Sequence, residues 1–295
     1  ITLEPGANRI VVTAIDDLDK IAEVVVQIDA RIHPAPERKG TLHIAAIGVN
    51  RYPFLPKICA GPNGSCDLKF AGADARFFSD VAGRTVGAGF NKTRLLRMVD
   101  GETMEPTARN IRRELEEFFL AAEPEDTTML FISGHGIRPD GQERYYFLPK
   151  DARRTLEDGK PRWDKRSIVN WRSLRQALAD ANGRRIMFVD TCHAAAAWYV
   201  ANDKLEKQAR DSEVIVFSAT KADSVAVEIA ALGHGAFTHA LLEGLRGGAD
   251  LSRDSVISLL ELGQFVDDRV RAVTAKQQVP IFYMSGIENF AIVRP

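Results

Sequence analysis

The chain has 295 residues, 45% of them hydrophobic and 27% charged, with a formal net charge of −1. That balance belongs to a globular protein and gives no general electrostatic pull towards nucleic acid or an acidic membrane surface. No apolar run reaches the length of a membrane span, and three cysteines are too few for a disulfide scaffold, which fits a reducing, cytoplasmic setting. No secretory signal is visible, and Ile1 is not a natural start, which leaves room for an upstream sensor or interaction domain.

Residues 1–32 hold two alternating apolar runs, Ile10–Ile15 and Ile21–Ile28, joined by "DDLDK". This predicts a β-hairpin. The opening "LEPGANRIVVTAID" resembles the last strands of an immunoglobulin-like sandwich; a hairpin belonging to the main domain fits equally well. Residues 33–40, "HPAPERKG", read as a linker. In the loop "CAGPNGSC", Cys59 and Cys66 are compatible with a disulfide or with two thiols, since spacing alone does not establish bridging geometry. A disulfide there would argue for an oxidising compartment. No second close Cys or His pair accompanies them, which disfavours zinc.

From 41 to 295 the pattern is strand–helix alternation. "LHIAAIGVN" predicts a buried strand, residues 68–85 a helix, and "TRLLRMV" a strand. "TARNIRRELEEFFLAA" predicts an amphipathic helix with Thr107 as N-cap. "TTMLFIS" is the next strand and "YYFLP" a short extended piece; "WRSLRQALADA" is helical, and "RIMFVD" and "EVIVFSA" are strands. Helices over about 235–246 and 254–273 precede a last strand, "VPIFYM". The order implies an α/β fold: a mostly parallel central sheet sandwiched between helices on both faces.

Two strand ends carry reactive side chains. "FISGHG" presents His135 and "VDTCHA" presents Cys192. Were these strands neighbours, both side chains would reach the carboxyl-end rim where open α/β sheets bind ligands. A thiol needs a base or a nearby cation to become a nucleophilic thiolate at neutral pH, and His135 would supply it. The backbone N–H groups of Gly136 and Cys192 would then meet a developing oxyanion. Taken singly, Cys192 reads as well as a small buried apolar side chain, and His135 as a turn histidine. His193, His234 and His239 read as structural.

The ordered set "IAAIGVNRY", "LKFAGADA", "SGHG", "DTCH", "VIVFSAT" and "GHGAFTHALLEGL" resembles the caspase-like cysteine peptidases, bacterial metacaspase relatives above all, over residues 40–293. The resemblance implies a His135–Cys192 dyad and a cysteine endopeptidase acting on protein or peptide substrates. It departs from the family where Ala194–Ala197 follow "CH", since alanine tolerates left-handed backbone angles poorly. That run keeps open a catalytically silent module acting in assembly or signalling.

Substrate choice should follow the charge of the first pocket. The resemblance maps Asp74 and Asp190 there, with Asp223 as a third contributor, which implies cleavage after Arg or Lys; a carboxylate pairs strongly and bidentately with guanidinium. On the plainer readings Asp74 is a surface helix residue, Asp190 a hydrogen-bonded strand-end acid and Asp223 a turn cap. Arg51 and Arg76, pointing inward, would instead favour cleavage after Asp. A different Cys–His acyl-transfer enzyme, such as an amidase, fits the acids less well. Residues 152–166 and 202–211 are polar and rich in Lys and Arg, expected to be exposed, and candidate self-cleavage loops. No cofactor is expected. Some metacaspase relatives need calcium, so calcium stays open as an activator, although no EF-hand-type acidic loop is apparent.

Overall fold

The computed structural model describes residues 6–15, 21–30, 40–55, 64–137, 146–157, 160–192, 214–219, 228–229, 232–284 and 289–293. The chain divides into two compact units, Ile1–Glu37 and Arg38–Pro295. In the first, β1 (Gly6–Ile15) and β2 (Ile21–Ala30) pair antiparallel from Gly6↔Ala30 to Ile15↔Ile21.

The second unit opens with β3 (Thr41–Gly48), α1 (Ala71–Thr85), β4 (Lys92–Val99), α2 (Ala108–Leu120) and β5 (Thr127–Ile137). Short strands follow: β6 (Tyr146–Phe147), β7 (Arg154–Glu157), β8 (Lys160–Trp163) and β9 (Val169–Asn170). Then come α3 (Trp171–Ala179), β10 (Arg184–Cys192), β11 (Val214–Ser218), β12 (Glu228–Ile229) and β13 (His234–Gly235). The chain closes with α4 (Ala236–Glu243), β14 (Ile257–Ser258), α5 (Leu259–Val273), β15 (Ile281–Tyr283) and β16 (Ala291–Val293).

The central sheet runs in the order β15-β11-β10-β5-β3-β4, with β6 and β9 added beside β5. Pairing is parallel from β4 through β11, and β15 closes the edge antiparallel. The strand order reverses at β3, whose neighbours are β4 on one side and β5 on the other. Such a switch point leaves a crevice at the carboxyl ends of the strands.

Alternation along each strand divides the core in two. Ile47, Leu130, Ile132, Met187 and Val189 pack with Leu115 and Phe119 of α2 and Leu174 and Leu178 of α3. Ile44, Phe131, Ile186 and Phe188 pack on the other face with Phe78 of α1, Phe237 and Leu241 of α4, and Val266 of α5. Helix starts are sequence-encoded. Thr107 Oγ1 accepts from the Asn110 amide at 3.3 Å, as its N-cap position predicts, and Asn170 Oδ1 accepts from Arg172 at 2.8 Å. The N-terminus of α1 is met from outside the helix, by Asn50 Oδ1 accepting from the Gly72 amide at 2.8 Å.

Two expectations are corrected. The last helix starts at Leu259 rather than near 254, because Ser258 and Glu261 form a reciprocal capping box there. Ahead of it, Asp250 accepts the amides of Asp254 and Ser255, and Arg253 and Ser255 take positive φ, so that stretch is a turn. The basic segment 152–166 contains a β-hairpin, β7 on β8, registered Arg154↔Trp163 and Thr155↔Arg162. The Arg154 guanidinium lies 5.6 Å from the Trp163 ring centroid, and Arg153 pairs with Asp164 at 3.0 Å. The segment is therefore a paired hairpin along these strands rather than an open loop. Residues 202–211, the other candidate, lie outside the described residues.

Candidate active site

β5 and β10 are adjacent and parallel, and their register puts Cys192 directly beside His135, with Thr191 beside Gly134 and Asp190 beside Ser133. Neighbouring strands lie about 4.8 Å apart, so the backbones of the two candidate residues meet at one rim of the sheet. Gly136, the other candidate oxyanion donor, is one step beyond His135 and pairs with Phe147 of β6.

His135 is buried and held on three sides. Its backbone N–H donates to the Tyr52 hydroxyl at 2.8 Å. Its ring lies 4.7 Å, centroid to centroid, from the Tyr52 ring. Its Nε2 stands 2.6 Å from the carbonyl oxygen of Cys66. A carbonyl only accepts, so Nε2 carries the proton and the neutral ring keeps its lone pair on Nδ1. The close approach needs Gly134: at φ 155° a Cβ there would stand 2.9 Å from the Phe147 ring and 3.0 Å from the Tyr52 hydroxyl. Tyr52 is fixed in turn by its own amide, which donates to Asp67 at 2.8 Å. Cys66 is disulfide-bonded, a tie that an oxidising compartment would preserve. Cys59 lies outside the described residues.

The acids form a second cluster at the same rim. Ile186 and Phe188 face α1 and α4, and two-residue alternation carries Asp190 to that face as well. Asp190 is buried and accepts from Thr238 of α4 at 2.6 Å. Asp74 is only 2% exposed on α1, which rules out the surface-helix reading. It accepts from His234 Nδ1 at 2.6 Å and from the Gly235 amide at 3.2 Å. A Cβ on Gly235 would meet Asp190 Oδ2 at 2.8 Å and Asp74 Oδ2 at 3.4 Å. The two carboxylates therefore converge over one backbone atom that only glycine leaves uncovered. Asp190 is thus both the hydrogen-bonded strand-end acid and a neighbour of Asp74.

Arg76 turns away from these acids. Its Nε donates to Glu102 at 2.6 Å and its guanidinium reaches the Asp100 carbonyl at 3.3 Å. Arg51 is exposed, and its amide donates to Asp100 at 3.0 Å. Asp223, His193 and Ala194–Ala197 lie outside the described residues. His234, read from sequence as structural, bonds directly to Asp74. Tyr52 and Thr238 carried no signal in the sequence, and Cys66 stood out only as one of a possible disulfide pair, because each acts on the site through a contact far along the chain. His239 stands apart from the acids: burial pushes its imidazole down, opposed by Glu243 at 3.5 Å. Among the described residues no group of three or more His, Cys, Asp or Glu is arranged to hold a metal ion, and no helix is long and apolar enough to cross a membrane.

A family model, the caspase domain, matches residues 47–291. The chain belongs to the caspase family. The match spans both strand ends and the acid cluster, and the α/β sandwich with its mostly parallel sheet agrees with it. Membership supports a cysteine-type peptidase in general terms. No curated protein matches the chain.

Proposed function

We propose that this caspase-family domain is a cysteine endopeptidase cleaving after arginine or lysine. Cys192 is the nucleophile and His135 the base, acting through Nδ1. The Cys192 thiol gives its proton to His135, and the thiolate attacks the scissile carbonyl carbon. The amides of Gly136 and Cys192 receive the oxyanion. Collapse expels the amine, which takes the proton from His135 and leaves a thioester on Cys192. Water, deprotonated by the same imidazole, hydrolyses the thioester and restores the thiol.

The observation that carries the specificity is the convergence of Asp74 and Asp190 over Gly235, at the rim where Cys192 and His135 stand in register. Two buried carboxylates favour a cation between them, and a guanidinium offers a planar, doubly donating partner. Asp223 is retained as a third candidate contributor. The Asp-directed alternative loses support because Arg76 is engaged by Glu102 and the Asp100 carbonyl. The test is cleavage-site profiling on a peptide library with the wild type and Cys192→Ala. Cleavage after Arg and Lys by the wild type alone is the expected result. A wild type with no activity would instead support the silent assembly module, and cleavage after Asp would overturn the pocket.

A further inference from the structure

We propose that His234 is a specificity-determining residue of the acid pocket: when protonated it competes with the substrate's cationic side chain for Asp74, so preference for a basic residue strengthens as pH rises. The inference rests on the reading of Asp74 and Asp190 as the pocket for that side chain.

The geometry is close and enclosed. His234 sits on β13, its Nδ1 2.6 Å from Asp74 Oδ1, with its side chain 15% exposed and that of Asp74 3%. The Phe77 ring stands edge-on to the imidazole at 4.9 Å and covers it from the α1 side. The next residue, Gly235, is where the two acids converge, so the histidine adjoins the space a substrate cation would enter.

The charges follow from chemistry. A neutral His234 donates Nδ1–H to Asp74 and leaves the pocket with two negative charges to offer. A protonated His234 makes the same bond, neutralises one of them, and places a like charge beside an incoming guanidinium. Histidine is the side chain whose ordinary titration falls between about pH 5 and 8. By linkage, each proton on His234 weakens binding of a cationic residue, and a bound cationic residue weakens binding of that proton by the same factor.

Other charged and titratable groups lie on the elements packed around this pair. Asp74 of α1 bonds the ring, and Asp190 of β10 lies beside Asp74 over Gly235. From α4, His239 stands 3.5 Å from Glu243. Arg269 of α5 bonds Glu243 at 2.7 Å.

The experiment uses two peptides identical except for Arg or Gln at the cleaved position. The ratio of their kcat/KM values is followed from about pH 5 to 8. The ratio cancels the titration of Cys192 and His135, which serve both substrates. In the wild type it should climb by roughly tenfold or more, as expected for one charge added or removed within a shielded pocket. His234→Asn keeps a donor near the Nδ1 position without a titrating charge; its ratio should stay flat at the wild type's high-pH value. His239→Gln should track the wild type. An Arg preference in the wild type that does not change with pH overturns the inference while leaving the pocket intact. So does a climb in His234→Asn as steep as that of the wild type. A wild type indifferent to Arg at every pH overturns the pocket reading and this inference together. The wild-type profile alone decides the matter if the variant does not fold.

Discussion

His135 Nε2 points at the carbonyl of Cys66, 2.6 Å away, and in the proposed mechanism that contact selects the base atom. With the proton held on Nε2, Nδ1 is left to take the thiol proton, and the ring cannot turn over without breaking a buried hydrogen bond. His135→Ala should therefore lower kcat/KM by about 10²–10⁴-fold, the usual reach of a positioned general base. The acidic limb of the wild-type rate profile should vanish in the variant. A variant that keeps both its rate and that limb would move the base elsewhere, with His193 the next to examine.

Tyr52 reaches the same histidine from the backbone side. Tyr52→Phe keeps the ring against the imidazole and removes only the hydroxyl that accepts the His135 amide. A buried donor left without its acceptor costs about 1–3 kcal/mol. Denaturant unfolding should show a loss of that size. Steady-state kinetics should show a fall in kcat with little change in KM, because the proposed pocket acids are untouched. Unchanged unfolding would mean that the amide finds another partner.

Where a residue acts through strand periodicity, its place was legible in the sequence. Ile186, Phe188 and Asp190 alternate, so burying the first two commits the third to the α1 and α4 face. Thr107 precedes an amphipathic run and caps it as such residues do. What was not legible acts across the chain. The pairs His234–Asp74 and His135–Cys66 bring together residues with no local pattern linking them. The β7–β8 hairpin did have a signal. Asp158-Gly159 between Glu157 and Lys160 is a two-residue turn sequence, masked by a charge density that suggested a solvated loop.

Far from the rim, at the other end of the sheet, Asp126 ties β3 to β5. Burial pushes its carboxyl up, but the amides of Glu123 and Thr41 and the His43 imidazole outweigh that and hold it below the usual carboxylate range. The bonds measure 3.0, 2.5 and 2.9 Å. A carboxyl lowered on folding stabilises fully above its unfolded value of about 3.9, and that contribution is lost as pH falls through the folded value. Asp126→Asn should cost about 1.5–3 kcal/mol at neutral pH, since it removes the charge from several hydrogen bonds. Its deficit should shrink at acid pH, where the wild type loses the same charge. Thermal melts across that range check both statements; a deficit constant with pH would show that the charge is not what stabilises.

The two acids proposed to line the pocket separate by their partners. Asp190 is anchored by Thr238 and Asp74 by His234 and the Gly235 amide, yet both converge on one point. If a substrate guanidinium lies between them, removing either charge breaks a shielded ion pair. That typically costs about 2–5 kcal/mol, or a factor of roughly 30 to several thousand in relative rate. Asp190→Asn and Asp74→Asn should each lower kcat/KM for an Arg peptide by such a factor, and that for the matching Gln peptide far less. Thr238→Val keeps both charges and removes one hydrogen bond to Asp190, so its effect on the Arg:Gln ratio should be smaller than that of either asparagine. The measurement is that ratio for wild type and the three variants. Loss on both peptides alike would assign the acids to holding β10 and α1 in place, and the basic-residue pocket would have to be sought elsewhere on the rim.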